Sequence, residues 1–248
     1  QDSGAAATPV RTDYRSITQR DWKEISSGGE SGYIVPDPTD PNVVWGGTVG
    51  KFDWNTLQDQ DVDPTLAYPG EYRGEWTLPL AISPRNPKAI YFARQFLFKS
   101  VDGGGHWTMA SPDLTRETPE VPGNLDPVTA EDSDVKGPRR GVIYAMALSP
   151  LSDGRIWCGT DDGLIWLSRD DGKTWRDVTP KDLTAWSKVG IIEASHFDAE
   201  TAYAAIDRHR VDDLSAIILR TKDGGKTWTS IATGIPNGSF VNVVREDP

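Results

Sequence analysis

Ser100-Val-Asp-Gly-Gly-Gly-His-Trp107, Ser168-Arg-Asp-Asp-Gly-Lys-Thr-Trp175 and Thr221-Lys-Asp-Gly-Gly-Lys-Thr-Trp228 are three copies of one pattern, Ser/Thr-x-Asp-x-Gly-x-x-Trp. Each conserved type has a physical task in a tight turn. The carboxylates of Asp102, Asp170 and Asp223 accept backbone N–H groups, and Gly104, Gly172 and Gly225 supply a positive φ. Trp107, Trp175 and Trp228 fold over the turn into a core, while Ser100, Ser168 and Thr221 open it. Strand-like runs flank each copy, such as Leu164-Ile-Trp-Leu-Ser168 before and Trp175-Arg-Asp-Val178 after. The pattern therefore joins the third and fourth strands of a repeating unit.

Working outward, a second repeat aligns without gaps. It begins at Val35, Ala81, Ala147 and Glu193 and ends at Gly47, Ala93, Gly159 and Ala205. Each copy is the end of an apolar strand, a turn rich in Pro or Asp, and a β-branched and aromatic strand closing on a small residue. A fifth copy starts at Phe240-Val-Asn-Val-Val and stops at its turn. Pro38, Pro84, Pro150, His196 and Pro248 share one register at intervals of about 46–66 residues, the period of propeller blades or slightly more. The expected fold is an all-β propeller of four-stranded antiparallel blades. Residues 1–248 form one array: a partial blade at 1–30, full blades at 31–76, 77–115, 141–187 and 188–235, and a partial one at 240–248. The first full blade has Lys51-Phe-Asp-Trp-Asn-Thr-Leu-Gln58 where the others carry the turn motif. The two partial blades are complementary, so residues 240–248 are expected to pair with the N-terminal strands and close a small ring.

Composition fits this reading. The 24 Gly and 18 Pro are spread along the chain, and ten Trp, seven Tyr and six Phe provide an aromatic core. The net charge of -11 argues against a phosphate-backbone binder and against anionic membrane surfaces. No apolar run approaches the roughly 18–20 residues of a spanning helix, so no membrane insertion is expected. The opening Gln1-Asp-Ser-Gly4 lacks the apolar segment of a signal peptide and reads as an interior or mature start. Cys158 stands alone in an apolar strand and reads as a structural thiol.

The turn motif is similar to the Asp box of BNR-repeat proteins. The chain as a whole resembles bacterial sortilin-like BNR-repeat β-propellers, a family often labelled "glycosyl hydrolase". Gly28-Gly-Glu-Ser-Gly-Tyr-Ile-Val-Pro-Asp-Pro38, Ser111-Pro-Asp-Leu-Thr-Arg116, Asp207-Arg-His-Arg-Val-Asp-Asp213 and Val243-Val-Arg-Glu-Asp-Pro248 also look like segments of that family. The resemblance implies an internal segment of a longer, exported protein, extracellular or periplasmic. Fold alone does not carry chemistry.

In a propeller the blade-to-blade connections and the second-to-third strand loops share one face, and the third-to-fourth turns lie on the other. The three Asp-box carboxylates are therefore structural. Ligand candidates come from three loops of the first face. Residues 116–140 hold Glu117, Glu120, Asp126, Glu131, Asp132, Asp134, Lys136, Arg139 and Arg140. Residues 56–76 hold Asp59, Asp61, Asp63, Tyr68, Tyr72, Arg73, Glu75 and Trp76, which either meet a sugar or pack their own loop. Residues 207–214 carry charges that bind a ligand or pair among themselves. The selected ligand-binding residues are Arg139, Arg140, Tyr144, Glu193, Asp207, Arg208 and His209, all expected to border this face.

No cofactor is expected. Asp59-x-Asp61-x-Asp63 superficially matches a calcium loop, but Pro64 and Gly70 stand where that loop needs Gly and Glu. His106, His196 and His209 lack zinc spacing, and no Gly-x-Ser-x-Gly or phosphate loop occurs. No catalytic carboxylate pair stands out, and neither the Arg-Ile-Pro segment of sialidases nor the catalytic Asp motifs of xyloglucanases are found. The expected function is a binding or interaction module for glycans or peptides, with a propeller glycoside hydrolase using paired carboxylates as the alternative. A structural spacer is the third reading.

Overall fold

The structure, a computed structural model, describes residues 4–25, 27–28, 32–125 and 137–247. Four antiparallel sheets of four strands follow one another along the chain, each a simple up-and-down meander. The first contains β3 (Ile34–Pro36), β4 (Val43–Gly46), β5 (Gly50–Asp53) and β6 (Gln58–Asp61). The second contains β7 (Leu80–Ile82), β8 (Ile90–Ala93), β9 (Leu97–Ser100) and β10 (Thr108–Met109). The third contains β11 (Ile143–Leu148), β12 (Ile156–Thr160), β13 (Ile165–Ser168) and β14 (Arg176–Asp177). The fourth contains β15 (Lys188–Ala194), β16 (Ala202–Asp207), β17 (Ile217–Thr221) and β18 (Thr229–Ser230). A separate two-stranded sheet pairs β1 (Ala5–Ala7) with β2 (Lys23–Ile25). The fold is a β-propeller of four-stranded blades.

The core lies between the blades rather than within one of them. Alternation along a strand sends side chains to opposite faces. On β8, Ile90 and Phe92 pack with Val43, Trp45 and Val62 of the first blade. Tyr91 and Ala93 of the same strand pack with Ile143, Ile156 and Cys158 of the third. A third cluster joins Trp157, Ile165 and Leu167 to Val189, Ile192 and Ala204 across the next boundary. A strand buried on both faces needs an unbroken apolar run, which explains Ile90-Tyr-Phe-Ala93 and Ile156-Trp-Cys158. Gly159, near the end of β12, meets the next blade at close quarters. A Cβ on Gly159 would stand 2.3 Å from a Val189 methyl.

The repeat turns join the third and fourth strands, and their hydrogen bonds recur. Gly104, Gly172 and Gly225 donate N–H to the hydroxyls of Ser100, Ser168 and Thr221 at 3.0, 2.8 and 2.9 Å. Asp102, Asp170 and Asp223 accept the N–H of His106, Thr174 and Thr227 at 2.8–2.9 Å. The Trp reaches further than its own turn. The indole N–H of Trp107, Trp175 and Trp228 donates to the carbonyl of Val62, Ala110 and Val178 at 2.8, 2.9 and 2.7 Å. Each acceptor is the residue that follows the fourth strand of the preceding blade, so the motif clamps one blade to its predecessor. In the first blade a tight turn replaces it: Asp53 accepts the N–H of Asn55 at 2.8 Å, and Leu57 takes φ 57°.

The N-terminal and C-terminal partial blades do not pair as expected. β1 and β2 pair with each other, and Ala5 and Ile25 pack on Val44 and Phe52 of the first blade. Residues 240–247 lie along the fourth blade instead. Glu246 holds them there by accepting the Ser195 hydroxyl at 2.9 Å, the His196 N–H at 2.5 Å and the Tyr203 hydroxyl at 2.9 Å. Pro248 lies outside the described residues. No helix among the described residues is long and apolar enough to cross a membrane.

Candidate functional site

The first strands of the blades converge, and the loops at their N-terminal ends assemble a polar cluster. Glu75 comes from the connection leading to β7, and Arg210 from the loop after β16. Their contact of 3.2 Å bridges the second and fourth blades. Beside them, Lys188 opens β15 and sits over the Tyr144 ring, 4.7 Å from its centroid. Lys188 is the cross-strand partner of Asp207 and lies 3.2 Å from its carboxylate. Asp207, fully buried, also accepts the backbone N–H of His209 at 3.0 Å and contacts its Nδ1 at 2.6 Å. The His209 ring stacks on Phe240 with centroids 4.7 Å apart. Trp76, next to Glu75, keeps 61% of its surface exposed.

Two buried carboxyls stand behind this cluster, in the short loop between β12 and β13. Asp161 accepts the N–H of Val142 at 2.7 Å, and Asp162 that of Arg116 at 2.8 Å. Burial, then the neighbouring Asp162 carboxylate, and further Glu75 push the Asp161 carboxyl well above its usual range. Burial also raises Asp162, against the Thr160 hydroxyl and Arg116, which favour its ionised form. Asp207 shows the opposite balance. Burial disfavours its charge, but the His209 N–H and ring, with the Lys188 ammonium, outweigh it and hold the carboxyl low. Burial raises the Tyr144 hydroxyl, with Glu75 adding to the effect.

The long connections are fixed by buried arginines. Arg73 donates to the carbonyl of Gly141 at 2.7 Å, to Asp113 at 2.6 Å and to Thr115 at 2.8 Å. Its own N–H is received by Gln95 at 3.0 Å. This clamp ties the connections on both sides of the second blade together, two residues from Glu75. Arg116 reaches the carbonyls of Asp162 and Gly163 at 2.7 and 3.0 Å.

Of the seven selected residues, Tyr144, Asp207 and His209 meet in the cluster. Arg208 turns away to Asp213 at 2.8 Å and Ser187 at 2.6 Å, so the charges of this loop pair with each other and with nearby hydroxyls. Arg139 lies at the periphery, 3.5 Å from Asp113 and 3.4 Å from Glu117. Arg140 donates to the carbonyl of Gly137 at 2.7 Å. Glu193 does not border the loop-bearing face. It stands near the end of β15, where Arg245 and His196 lie 3.2 and 3.3 Å away beside the first-to-second strand turn. In the 56–76 loop, Tyr68 and Tyr72 pack inward on the first core cluster, and Tyr68 donates to the carbonyl of Trp107 at 2.7 Å. Asp126, Glu131, Asp132, Asp134 and Lys136 lie outside the described residues, while the main-chain carbonyl of Glu120 receives the Trp186 indole at 2.7 Å.

Asp59, Asp61 and Asp63 take separate partners. Asp59 accepts the Ser27 hydroxyl at 2.8 Å, Asp61 the N–H of Asp63 at 3.0 Å, and Asp63 pairs with Arg94 at 3.0 Å. No group of three or more His, Cys, Asp or Glu among the described residues is arranged to hold a metal. Asp161, Asp162 and Lys188 were missed by the sequence reading. The signal lay in the short Asp161-Asp-Gly163 loop, which the repeat alignment assigns to the same face.

No protein-family model matches this chain, and no curated protein matches it in sequence. Solved structures do match. A GH74 enzyme from Niastella koreensis superposes with a TM-score of 0.53 at 20% identity, over 83% of this chain and 30% of that one. An ancestral GH74 enzyme gives 0.53 at 17% identity, over 84% of this chain and 25% of that one. A chain of a nidogen/laminin complex gives 0.52 at 9% identity, over 91% of this chain and 73% of that one. What is shared is the propeller fold. This chain spans less than a third of the length of these two GH74 chains.

Proposed function

We propose that this propeller is a binding module of the Asp-box type that takes a glycan or a peptide on its loop-bearing face, in an extracellular or periplasmic setting. The state of the carboxylates carries the reading. Glu75 is matched to Arg210, Asp207 to Lys188 and His209, and the buried Asp161 and Asp162 to backbone N–H groups. A ligand meets fixed donors and acceptors beside the exposed Trp76 indole and the His209–Phe240 stack. An apolar ring face next to directed polar groups complements a sugar, which has an apolar face and a rim of hydroxyls. The net charge of -11 selects against anionic ligands.

One observation supports the hydrolytic alternative. A glycosidase needs a protonated carboxyl and an ionised one, and the raised Asp161 interacts with Glu75. Oligosaccharide and peptide arrays, followed by titration and a reducing-end assay, test both readings. The binding module predicts a specific ligand without turnover, and Trp76→Ala weakens it at least about tenfold, ~1.4 kcal/mol. Unchanged affinity in that variant would refute this site. Release of reducing ends, lost in Asp161→Asn, would establish hydrolysis in its place.

A further inference from the structure

On the Asp-box face, two successive blade junctions share one backbone arrangement but not its side chains. Between the third and fourth blades, Glu200 is shared by two cations. Arg155 reaches it at 2.6 Å, and Arg169 at 2.6 and 3.0 Å. Arg155 is buried and also donates to the carbonyl of Ala199. Between the second and third blades the backbone bonds are equivalent. Asp171 donates its N–H to the carbonyl of Gly154 at 2.9 Å, as Gly224 does to that of Glu200. Ser83 donates its N–H to the carbonyl of Ala89 at 2.9 Å, as Ser149 does to that of Arg155 at 3.0 Å.

Ala89, Val101 and Gly154 therefore stand where the next junction has Arg155, Arg169 and Glu200. A cleft of about 440 Å³ opens over Ala89 and Gly154. Its carboxylate comes from Asp171, at the turn position that Gly103 and Gly224 hold in the other two copies. Asp171 keeps their left-handed backbone, with φ 63° against 73° and 67°. That conformation disfavours a residue with a Cβ, so a carboxylate retained in it points to a task. A Cβ on Gly224 would stand 2.4 Å from a Glu200 carboxylate oxygen, so the Asp171 side chain enters the space that Glu200 fills in the next junction. The buried Tyr91 hydroxyl donates to Asp171 at 2.6 Å, and Lys99 pairs with it. Glu200 is thus matched by two cations, and Asp171, among the described residues, by Lys99 alone. A carboxylate has about four acceptor sites, so a second cation has a place on Asp171. Arg85, Lys99 and Lys173 balance Asp153, Asp170 and Asp171 around the cleft, and the net charge of -11 draws cations toward it.

We propose that this cleft takes the guanidinium of an arginine side chain from another polypeptide, completing around Asp171 the arrangement that Arg155 and Arg169 make around Glu200. The planar fork bonds the Asp171 carboxylate and the main-chain carbonyl of Asp153, the counterparts of Glu200 and of the Ala199 carbonyl. The cleft lies among the first-to-second and third-to-fourth strand turns, on the face opposite the polar cluster, so its failure leaves the ligand reading untouched.

The test uses the full chain and N-acetyl-arginine N-methylamide, with the citrulline derivative, similar in shape but uncharged, as control. Titration followed by amide NMR should give saturable shifts at Asp153, Gly154 and Asp171, and the citrulline compound should bind at least about tenfold more weakly. Ala89→Arg supplies the missing guanidinium from within, as Arg155 does in the next junction. It should leave the melting temperature at or above that of the parent and weaken binding at least about tenfold. Asp171→Asn keeps an acceptor for Tyr91 and a side chain that tolerates the left-handed backbone, and should weaken binding as much. It decides the matter should Ala89→Arg fail to fold. No saturable shift, equal binding of the citrulline compound, or undiminished binding in Asp171→Asn would overturn the proposal. So would shifts confined to Tyr144, Lys188 and His209, because the compound would then be a ligand of the polar cluster.

Discussion

Gly172→Ala tests whether the blades are pressed together as tightly as the repeat turns imply. Gly172 has φ +86°, and a Cβ there would stand 2.4 Å from the carbonyl oxygen of Ala110 and 2.9 Å from the Ala110 Cβ. Both belong to the preceding blade, and the oxygen is main chain, so neither can swing aside. The left-handed backbone costs about 1–2 kcal/mol for a residue with a Cβ. Overpacking adds about 1–3 kcal/mol. Together these come to roughly 2–5 kcal/mol, which lowers the melting temperature of a chain this size by about 4–20 °C. Gly234 provides the control, since it has φ +94° and nothing within 4 Å of its added Cβ. Gly234→Ala carries the backbone cost alone. Thermal melts of both variants by far-UV circular dichroism, with urea titrations for free energies, measure the difference. Equal destabilisation of the two would refute the argument that the turn glycine is required by the neighbouring blade.

Three further outcomes follow. The Asp223 carboxyl is held at about 2 by the Thr227 hydroxyl and N–H, and Asp102 at about 2 by the His106 ring and N–H. Their folded values lie below the unfolded value near 3.9. The stability they contribute is present above pH ~4 and lost as pH falls through ~2, and Asp223→Asn should flatten that part of the stability–pH curve in acid melts. Asp161 has the reverse sign: its folded carboxyl is raised, so the folded state loses stability as pH rises above ~4. Asp161→Asn keeps an acceptor for the Val142 N–H and should be more stable than the parent at pH 7, by an amount that shrinks toward pH 4. Cys158 is buried and its thiol pushed up by that burial. It should resist iodoacetamide in the native state and react in urea, as mass spectrometry would show.

Much of the fold was legible because its signals are local. Ser168, Asp170, Gly172 and Trp175 act within one turn, and the apolar runs of β8 and β12 report burial on both faces. Glu193 shows the same logic neglected: three residues before His196 in the repeat alignment, it belongs beside the first-to-second turn. The polar cluster was only half legible. Tyr144, Asp207 and His209 were marked, but Lys188 and Asp161 gain meaning only where the first strands converge. The Glu75–Arg210 contact joins residues far apart in sequence, and no spacing announces it. Tyr68 and Tyr72 are amphipathic, so composition alone could not say whether they face a ligand or the core. Residues 240–247 have the pattern of a first strand, but pairing depends on a partner strand that the pattern does not contain.

The indole bonds of Trp107, Trp175 and Trp228 give the molecule a direction. Each fastens a blade only after the following blade has formed its turn, so the fastening runs backward along the chain. On a ribosome, the first blade is fastened when Trp107 has emerged, the second waits for Trp175, and the third for Trp228. Synthesis and locking are thus offset by one blade throughout. The blade most recently made lacks its indole bond, and a chain cut at any boundary leaves its last blade without one.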